Sequence, residues 1–438
     1  MAFIHGSSEE CAKSELDIFQ LSPTQTSVES CMYIEVPPLA ALTPNGQIEF
    51  YITGNSEDYI DLNNTLLYVV CKITKANGTN IAVDAKVGFV NYPIASLFSQ
   101  LDVTLGDRLI SQSNNCYPYR AMIELLMNYG ADSLSTQFAA GGFYRDGYTA
   151  MEQTTVAPNT GNWGFRMRAE HTGTSKKWDL MGPLHNELFF QEKMLLNGVD
   201  VKIKLTRSKD MFCLLSGDAG EHYKVDILNA SLFVKRVKVS PGVRIGHAEA
   251  LLTSNAKYPI ERVGMKVFSI PAGSLVCNQE NLFLGQLPKQ LVITFVDNEA
   301  FSGAYDKNPF NFQHFNVNFI ALYVDGVQVP AKPLQPDYAN GLCVREYMQL
   351  VQTSGKAMKD QDIFITPNEF PHGYTLYAFD LTPDHGCSEH YSLIKTGNLR
   401  AEIRFAQPLT ATINMLLYGV FDNVIEISHS RNVLFDYM

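Results

Sequence analysis

The residues best suited to hold a metal lie in the sequence PDHGCSEH. Asp384, His385, Cys387 and His390 place a carboxylate, two imidazoles and a thiol within seven residues, and zinc accepts all three kinds of donor. Closed zinc sites take a second pair of ligands from elsewhere in the chain, and the sequence shows no partner pair. We therefore interpret this stretch as a polar loop that leads into the next strand.

A second group of chemically capable residues is the acidic run SEDYIDL, with Glu57, Asp58 and Asp61. Such carboxylates suit calcium binding or glycoside hydrolysis. The run lacks the glycine and the ligand spacing of an EF-hand, and a glycosidase needs two carboxylates that face one cleft. We favour a loop before a strand and keep a two-domain carbohydrate-binding protein or glycosidase as the alternative function.

Signature motifs of common enzymes are absent from the sequence. There is no G-x-x-x-x-G-K-[ST], no G-x-S-x-G and no H-E-x-x-H. Single-strand nucleic-acid binding requires aromatic residues interleaved with Lys or Arg, and the aromatic residues of this chain, at 11%, are not interleaved in this way. The most basic stretches, 207–210 and 233–240, are interpreted as solvated strand faces. We predict no enzyme activity, no metal, no cofactor and no sequence-specific binding of nucleic acid.

The composition indicates a protein that buries much of its surface. The 438 residues carry a net charge of −11, and only 18% of them are charged, against roughly 25% in ordinary soluble domains. Fewer charges mean less surface that faces water, as expected for a subunit of an assembly. No apolar run approaches the length of a membrane span, and we expect no signal peptide and eight reduced, mostly buried cysteines.

Elements that would position these residues recur in the same order in both halves of the chain. Helices are predicted in YPYRAMIELLMNYG and VREYMQLVQT, because each shows apolar residues at i, i+3, i+4 and i+7. The apolar positions are Met122, Leu125, Leu126 and Tyr129 in the first helix, and Val344, Tyr347, Met348 and Val351 in the second. A hairpin precedes each helix, with its turn at Gly106 or Gly326.

Strands with period-two alternation follow each helix. The aromatic-Asp-Leu triplets at 178–180 and 379–381 lead into NGVDVKIKLT and GNLRAEIRFA, and each half closes with a long strand pair, at 225–240 and 412–428. The repeated order predicts an internal duplication. Two tandem eight-stranded β-sandwiches with short inserted helices make an all-β double jelly roll.

The boundaries follow from the same pattern. We predict an N-terminal arm at 1–30, a first jelly roll at 31–240, a connector at 241–262, a second jelly roll at 263–430 and a tail at 431–438. The stretch 139–177 is Gly- and Thr-rich and without period, so it is predicted to be an extended surface loop.

Several long stretches resemble the major capsid (hexon-like) proteins of Polinton/Maverick elements and adintoviruses, which belong with the adenovirus hexon to the double jelly-roll capsid proteins. The resemblance covers nearly the whole chain. The stretches that carry it are SELDIF at 14–19, PTQTS at 23–27, SEDYIDLNNTLLYV at 56–69, SLFSQLDVTL at 96–105, LHNELFFQEKMLLNGVDVKIKLTRSKDMFCLL at 184–215, AKYPI at 256–260, QENLFLGQLP at 279–288, NPFNFQHFNVNFIALYVDGVQVPAKPLQPDY at 308–338, GYTLYAFDLTPD at 373–384 and RNVLFDY at 431–437.

This resemblance implies a structural protein of the virion capsid. It implies homotrimeric, pseudo-hexagonal capsomers that tile an icosahedral shell around double-stranded DNA. The partners would be neighbouring capsomers and penton and minor capsid proteins, and the chain would be made inside the host cell.

Interface residues are expected in the two ends of the chain. The arm carries Leu16, Ile18 and Phe19 in an otherwise polar segment, and the tail carries Leu434, Phe435 and Tyr437. Apolar residues on chain ends are usually docked against something. We predict contacts with other subunits, and the alternative is docking onto their own domain.

Overall fold

A computed structural model describes residues 5–19, 21–156, 161–386 and 390–435. The first half of the chain contains ten strands and five α-helices within these ranges. They are β1 (Val28–Val36), β2 (Ile48–Ile52), β3 (Asp58–Lys75), β4 (Val87–Phe89), α1 (Pro93–Ser96), β5 (Phe98–Leu105), β6 (Arg108–Gln112), α2 (Tyr117–Asn128), α3 (Ala131–Ser135), α4 (Trp163–Thr172), β7 (Trp178–Pro183), β8 (Val201–Arg207), α5 (Asp210–Cys213), β9 (Leu214–Ser216) and β10 (Tyr223–Val239).

The second half repeats this arrangement after a connecting helix. Its elements are α6 (Pro241–Ala250), β11 (Ala256–Ile270), β12 (Val276–Gln279), β13 (Gln290–Asp297), α7 (Asn298–Ser302), β14 (Val317–Val324), β15 (Val327–Leu334), α8 (Val344–Thr353), β16 (Tyr377–Asp380), β17 (Leu399–Phe405), β18 (Ile413–Ile427) and β19 (Val433–Leu434). Short 3₁₀ turns lie at Ser14–Leu16, Phe138–Gly141, Gly173–Ser175 and Glu187–Phe189.

Both halves have the same sheet topology. The first half forms the sheets β1-β10-β3-β7 and β2-β8-β5-β6, and the second forms β11-β18-β13-β16 and β12-β17-β14-β15. Without the short β4–β9 pair of the first half and the short β19 of the second, each half numbers its strands one to eight, and both halves then read 1-8-3-6 and 2-7-4-5. This is the strand order of a jelly roll, so the predicted double jelly roll is confirmed.

Alternation of side chains explains why the strands form these sandwiches. Val201, Ile203 and Leu205 of β8 are fully buried, whereas Lys202 between them is exposed. In β17 the alternate residues are buried in the same way. One face of each strand therefore contributes to the core between its two sheets.

Some boundaries differ from those predicted from the sequence. The expected closing strand pairs are single long strands, β10 and β18, each at the second position of its sheet. The connector forms the helix α6, and β11 begins at Ala256 rather than near Val263. Pro259 lies inside β11, which is an edge strand, where a missing N–H is tolerated.

The stretch 139–177 is not the extended surface loop that its composition predicts. It contains the helix α4, whose Arg168 is fully buried and forms an ion pair with Asp146 at 2.6 Å. Arg168 also donates to the carbonyl oxygens of Phe89 and Tyr144. The helix lacks an amphipathic pattern because it buries polar residues that are satisfied by hydrogen bonds.

This stretch also joins the two halves. Asn308 of the second half is fully buried and donates to the carbonyl oxygen of Met151 at 3.0 Å, and the Tyr374 hydroxyl donates to the carbonyl oxygen of Asp146 at 3.1 Å. The Tyr119 ring stacks on Phe301 with 5.5 Å between ring centroids. The two jelly rolls thus share one continuous hydrophobic core.

Candidate assembly surfaces

The N-terminal arm is exposed along the whole of its described part before β1, which is residues 5–19 and 21–27. Its apolar residues Leu16, Ile18 and Phe19 are 72%, 76% and 92% exposed, and the next apolar residue, Leu21, is 96% exposed. A single 3₁₀ turn at Ser14–Leu16 is the only regular element of this part, and it buries no residue. The arm therefore presents a group of large apolar side chains to the surroundings of the chain.

The C-terminal tail is partly docked onto its own jelly roll. Val433 and Leu434 form β19, which pairs with Glu426 and Ile427 of β18. Phe435 is buried, whereas Leu434 is half exposed. Docking onto the same chain thus applies to Phe435, and Leu434 stays available on the surface. Tyr437 lies outside the described residues.

The first strand of the chain is an exposed surface that the sequence analysis missed. β1 is at the edge of its sheet, and Cys31, Met32 and Tyr33 are all exposed, Met32 by 60% and Tyr33 by 56%. An apolar edge strand is a template for pairing with another chain. The run CMYIEV is apolar enough to indicate a strand, but the sequence does not reveal that nothing covers it.

A second missed surface precedes β17. Tyr391, Leu393 and Ile394 are 60%, 87% and 64% exposed. They stand out in the sequence as an apolar run, YSLI, between a polar loop and a Gly-Asn turn. Residues 392–394 open onto a cavity of about 590 Å³ that Leu381 and Val327 also line.

A buried charge cluster lies between the two jelly rolls. Arg120 on α2 pairs with Glu124 at 2.8 Å and with Glu187 at 3.0 Å. Glu124 also contacts His185 Nδ1 at 2.9 Å. Glu187 accepts a hydrogen bond from the backbone N–H of Val263 on β11 at 3.0 Å. The cluster therefore fixes α2 of the first half to the first strand of the second half.

The charges of this cluster stabilise one another. Burial lowers the pKa of Arg120, but the Glu187 and Glu124 carboxylates outweigh it, so the net shift is upwards. Burial raises the pKa of Glu124, but Arg120 and the hydrogen bond to His185 bring that pKa below its ordinary value. Arg120 and Glu124 are thus an ion pair at neutral pH.

The chemically capable residues that the structure describes lie in charge pairs. His390 contacts Asp384 at 2.8 Å on the surface, and Cys387 lies outside the described residues. Among the described residues no group of three His, Cys, Asp or Glu could hold a metal ion. Asp58 and Asp61 lie near Arg236 and Lys235 of β10, at 3.9 and 3.0 Å.

The same ion pairs account for the basic stretch 233–240. Lys235 and Arg236 are opposite the acids of β3, and Lys238 lies 3.5 Å from Glu29 of β1. These cations therefore neutralise carboxylates on the neighbouring strands β3 and β1. No described helix has the length and apolar character that crossing a membrane would need.

The fold places the chain in a class of known structures, the double jelly rolls. A chain of the Sputnik virophage has a TM-score of 0.68, with 13% identity over 100% of this chain and 95% of the virophage chain. The Faustovirus major capsid protein has a TM-score of 0.60, with 8% identity, 94% of this chain and 92% of its own. The mavirus major capsid protein has a TM-score of 0.55 with 12% identity, over 100% and 95%.

At the level of sequence, the chain is similar to an uncharacterized protein of Caenorhabditis elegans. The two are 23% identical over 428 residues, which cover 94% of this chain and 99% of the nematode protein. No family model matches the chain. The solved structures that share its fold include capsid proteins of several viruses, and their low identity makes this a likeness of fold.

Proposed function

We propose that this chain is a major capsid protein whose activity is assembly. The observation that carries the proposal is the double jelly roll over the whole described chain, with the same strand order in both halves. Two similar domains in one chain let three chains present six similar sides, and such a unit packs in a hexagonal lattice. The proposed capsomer is a homotrimer that tiles an icosahedral shell around double-stranded DNA.

The finer features of this proposal come from the resemblance to Polinton/Maverick and adintovirus capsid proteins. They are contacts with neighbouring capsomers, penton and minor capsid proteins, a place in the virion, and synthesis inside the host cell. Sequence-specific contacts with DNA are not part of the proposal, because the basic residues of 233–240 face acids of their own sheet.

The test of the proposal is the native mass of the purified chain by light scattering, with negative-stain imaging of the same sample. We expect three times the chain mass, and hexagonal particles or shells in the images. A protein that stays monomeric across salt and protein concentrations would contradict the proposal. Binding on a glycan array by such a monomer would favour the carbohydrate-binding alternative.

The two chain ends are proposed as contacts between capsomers. Exposed Leu16, Ile18 and Phe19, with Leu434 and Tyr437 of the tail, are the residues assigned to them, and Phe435 anchors the tail. Replacement Phe19→Asp should leave the trimer intact and reduce shells in the images. The matched control is Val83→Asp, because Val83 is 89% exposed in a loop of the first half. Equal loss of shells in both variants would contradict a role of the arm.

A further inference from the structure

Two apolar pairs lie at the same spacing before equivalent strands of the two halves. Leu195 and Leu196 precede β8 by the same number of residues as Leu393 and Ile394 precede β17, and β8 and β17 are equivalent strands. The first pair is buried, at 1% and 4% exposure, whereas the second pair is 87% and 64% exposed. The segments that precede these two strands thus differ in what covers them.

The first pair is covered in part by the second jelly roll of the same chain. The Tyr258 hydroxyl of β11 accepts a hydrogen bond from the Leu196 N–H at 3.0 Å and lies 3.2 Å from the Met194 carbonyl oxygen, to which it donates. Lys193 Nζ donates to the Lys257 carbonyl oxygen at 3.1 Å. The segment before β8 therefore contacts the start of β11.

The counterpart of β11 in the first half is β1, and its outer edge is uncovered. Val28 of β1 is opposite Val239, and Ala256 of β11 is opposite Ile427, each the last residue of its long strand. No described strand pairs with the outer edge of β1. Among the described residues, β11 thus has a neighbouring segment from the other half, whereas the outer edge of β1 pairs with no strand and Leu393 and Ile394 are exposed.

We propose that the segment 391–394 of one copy packs against β1 of the next copy and repeats between chains the contact that 193–196 makes with β11 within the chain. The occupant of the β1 surface is thus a second copy of this protein. This inference rests on the proposed function and specifies the surface through which the capsomer forms.

Geometry and charge both favour this occupant. A contact between the second jelly roll of one copy and the first of the next is heterologous, and such contacts form a closed ring when the rotation returns to the start. In a ring of three chains, each jelly roll would be linked to one neighbour through its own chain and to the other through the proposed contact, so the ring would contain six jelly rolls. Exposed Lys395 follows the segment, and β1 carries the exposed carboxylate of Glu35, so the two surfaces carry side chains of opposite charge.

Crosslinking from the natural thiol of Cys31 tests the proposal. Cys31 is exposed on β1, and Ile394→Cys places a second thiol on the proposed partner surface. The full-length chain should also carry Cys11→Ser, because Cys11 is another exposed thiol. A short bismaleimide should yield covalent dimers and trimers on a denaturing gel, at least tenfold above the control. The control is Leu284→Cys, which is 75% exposed elsewhere in the second half.

The outcomes separate this inference from the proposed function. Covalent trimers that disappear with Cys31→Ser support it. A trimer by light scattering in which Cys31 and the new thiol do not crosslink overturns the inference and leaves the capsid proposal standing. A crosslink within one chain, identified by peptide mapping, also overturns it. A monomeric protein overturns both. A second variant, Leu393→Asp, should convert trimers to monomers without a change in the melting temperature of the monomer. Its control, Leu284→Asp, should remain a trimer.

Discussion

The two jelly rolls share a topology but expose opposite parts of it. In the first half the helix α2 is buried along nearly its whole length and the first strand, β1, is exposed. In the second half the equivalent helix α8 buries only Glu346, Leu350 and Thr353, and the first strand, β11, buries Tyr258 and Ile260. The helix of one half and the strand of the other thus meet within the chain.

This difference shows that burial in the chain depends on the neighbouring domain as well as on the fold of each domain. Arg120 and Glu187 link α2 to β11, and Tyr119 of α2 stacks on Phe301 of the second half. The exposed strand β1 is the surface that the proposed contact with a second copy would cover. The predictions below test this comparison.

The largest effect is expected from Arg120→Met. It leaves the buried carboxylates of Glu124 and Glu187 without their cation, and breaking a buried pair in this way costs about 3–5 kcal/mol. Urea denaturation followed by circular dichroism measures the free energy of unfolding. The control is Arg345→Met on the equivalent helix α8, where the exposed guanidinium donates only to backbone carbonyl oxygens. A loss below about 1 kcal/mol is expected there. Equal losses in both variants would remove the distinction between the helices.

A second comparison uses the equivalent leucines. Leu195→Ala should lower the free energy of unfolding by about 3 kcal/mol, because it leaves a cavity in the core. Leu393→Ala should change the stability of the monomer by less than about 0.5 kcal/mol, because Leu393 is exposed. Thermal melts of dilute samples measure both. A large loss for Leu393→Ala in a monomer would mean that its side chain is buried within its own chain.

The sequence predicts the elements better than it predicts their surroundings. The four-residue apolar pattern correctly locates both helices, and alternation correctly locates β8 and β17. The pattern does not say which faces are covered: in α8 the predicted apolar residues are only partly buried, whereas Glu346 is buried. Long-range contacts decide burial, and periodicity within one segment carries no information about them.

The same limit explains what the sequence analysis missed at the surface. The helix α4 buries Arg168 against Asp146, so it shows no amphipathic pattern, and its segment reads as a loop. Tyr391, Leu393 and Ile394 form an apolar run before a strand, and a run of this kind does not show in the sequence whether another part of the chain covers it. Their exposure in the structure shows that this run is uncovered.

The pH dependence of stability tests the charge cluster further. The folded-state pKa of Glu124 lies below its ordinary value of 4.5, so its contribution is fully present above about pH 4.5 and is lost as the pH falls through the folded pKa. Glu124→Gln should therefore lower the free energy of unfolding by about 2 kcal/mol at pH 7, and by progressively less at lower pH. Melting curves between pH 7 and 3 measure this. The control is Glu49→Gln, in an exposed pair with Lys202, whose loss of unfolding free energy should not shrink as the pH falls. A loss for Glu124→Gln that is the same at every pH would contradict the ion pair.

The smallest effect is expected in thiol reactivity, which changes no stability. Burial raises the pKa of Cys71 and of Cys213 to about 12, so neither thiol should react with iodoacetamide until the chain unfolds. Cys31 on β1 should react readily in monomers and about tenfold more slowly in trimers, because the proposed contact covers it. Half-buried Cys277 on β12 is the internal reference, since β12 takes no part in that contact. Mass spectrometry of labelled peptides gives the labelling rates of Cys31 and Cys277. If the ratio of these two rates is the same in monomers and trimers, the exposed strand β1 stays exposed in the assembly.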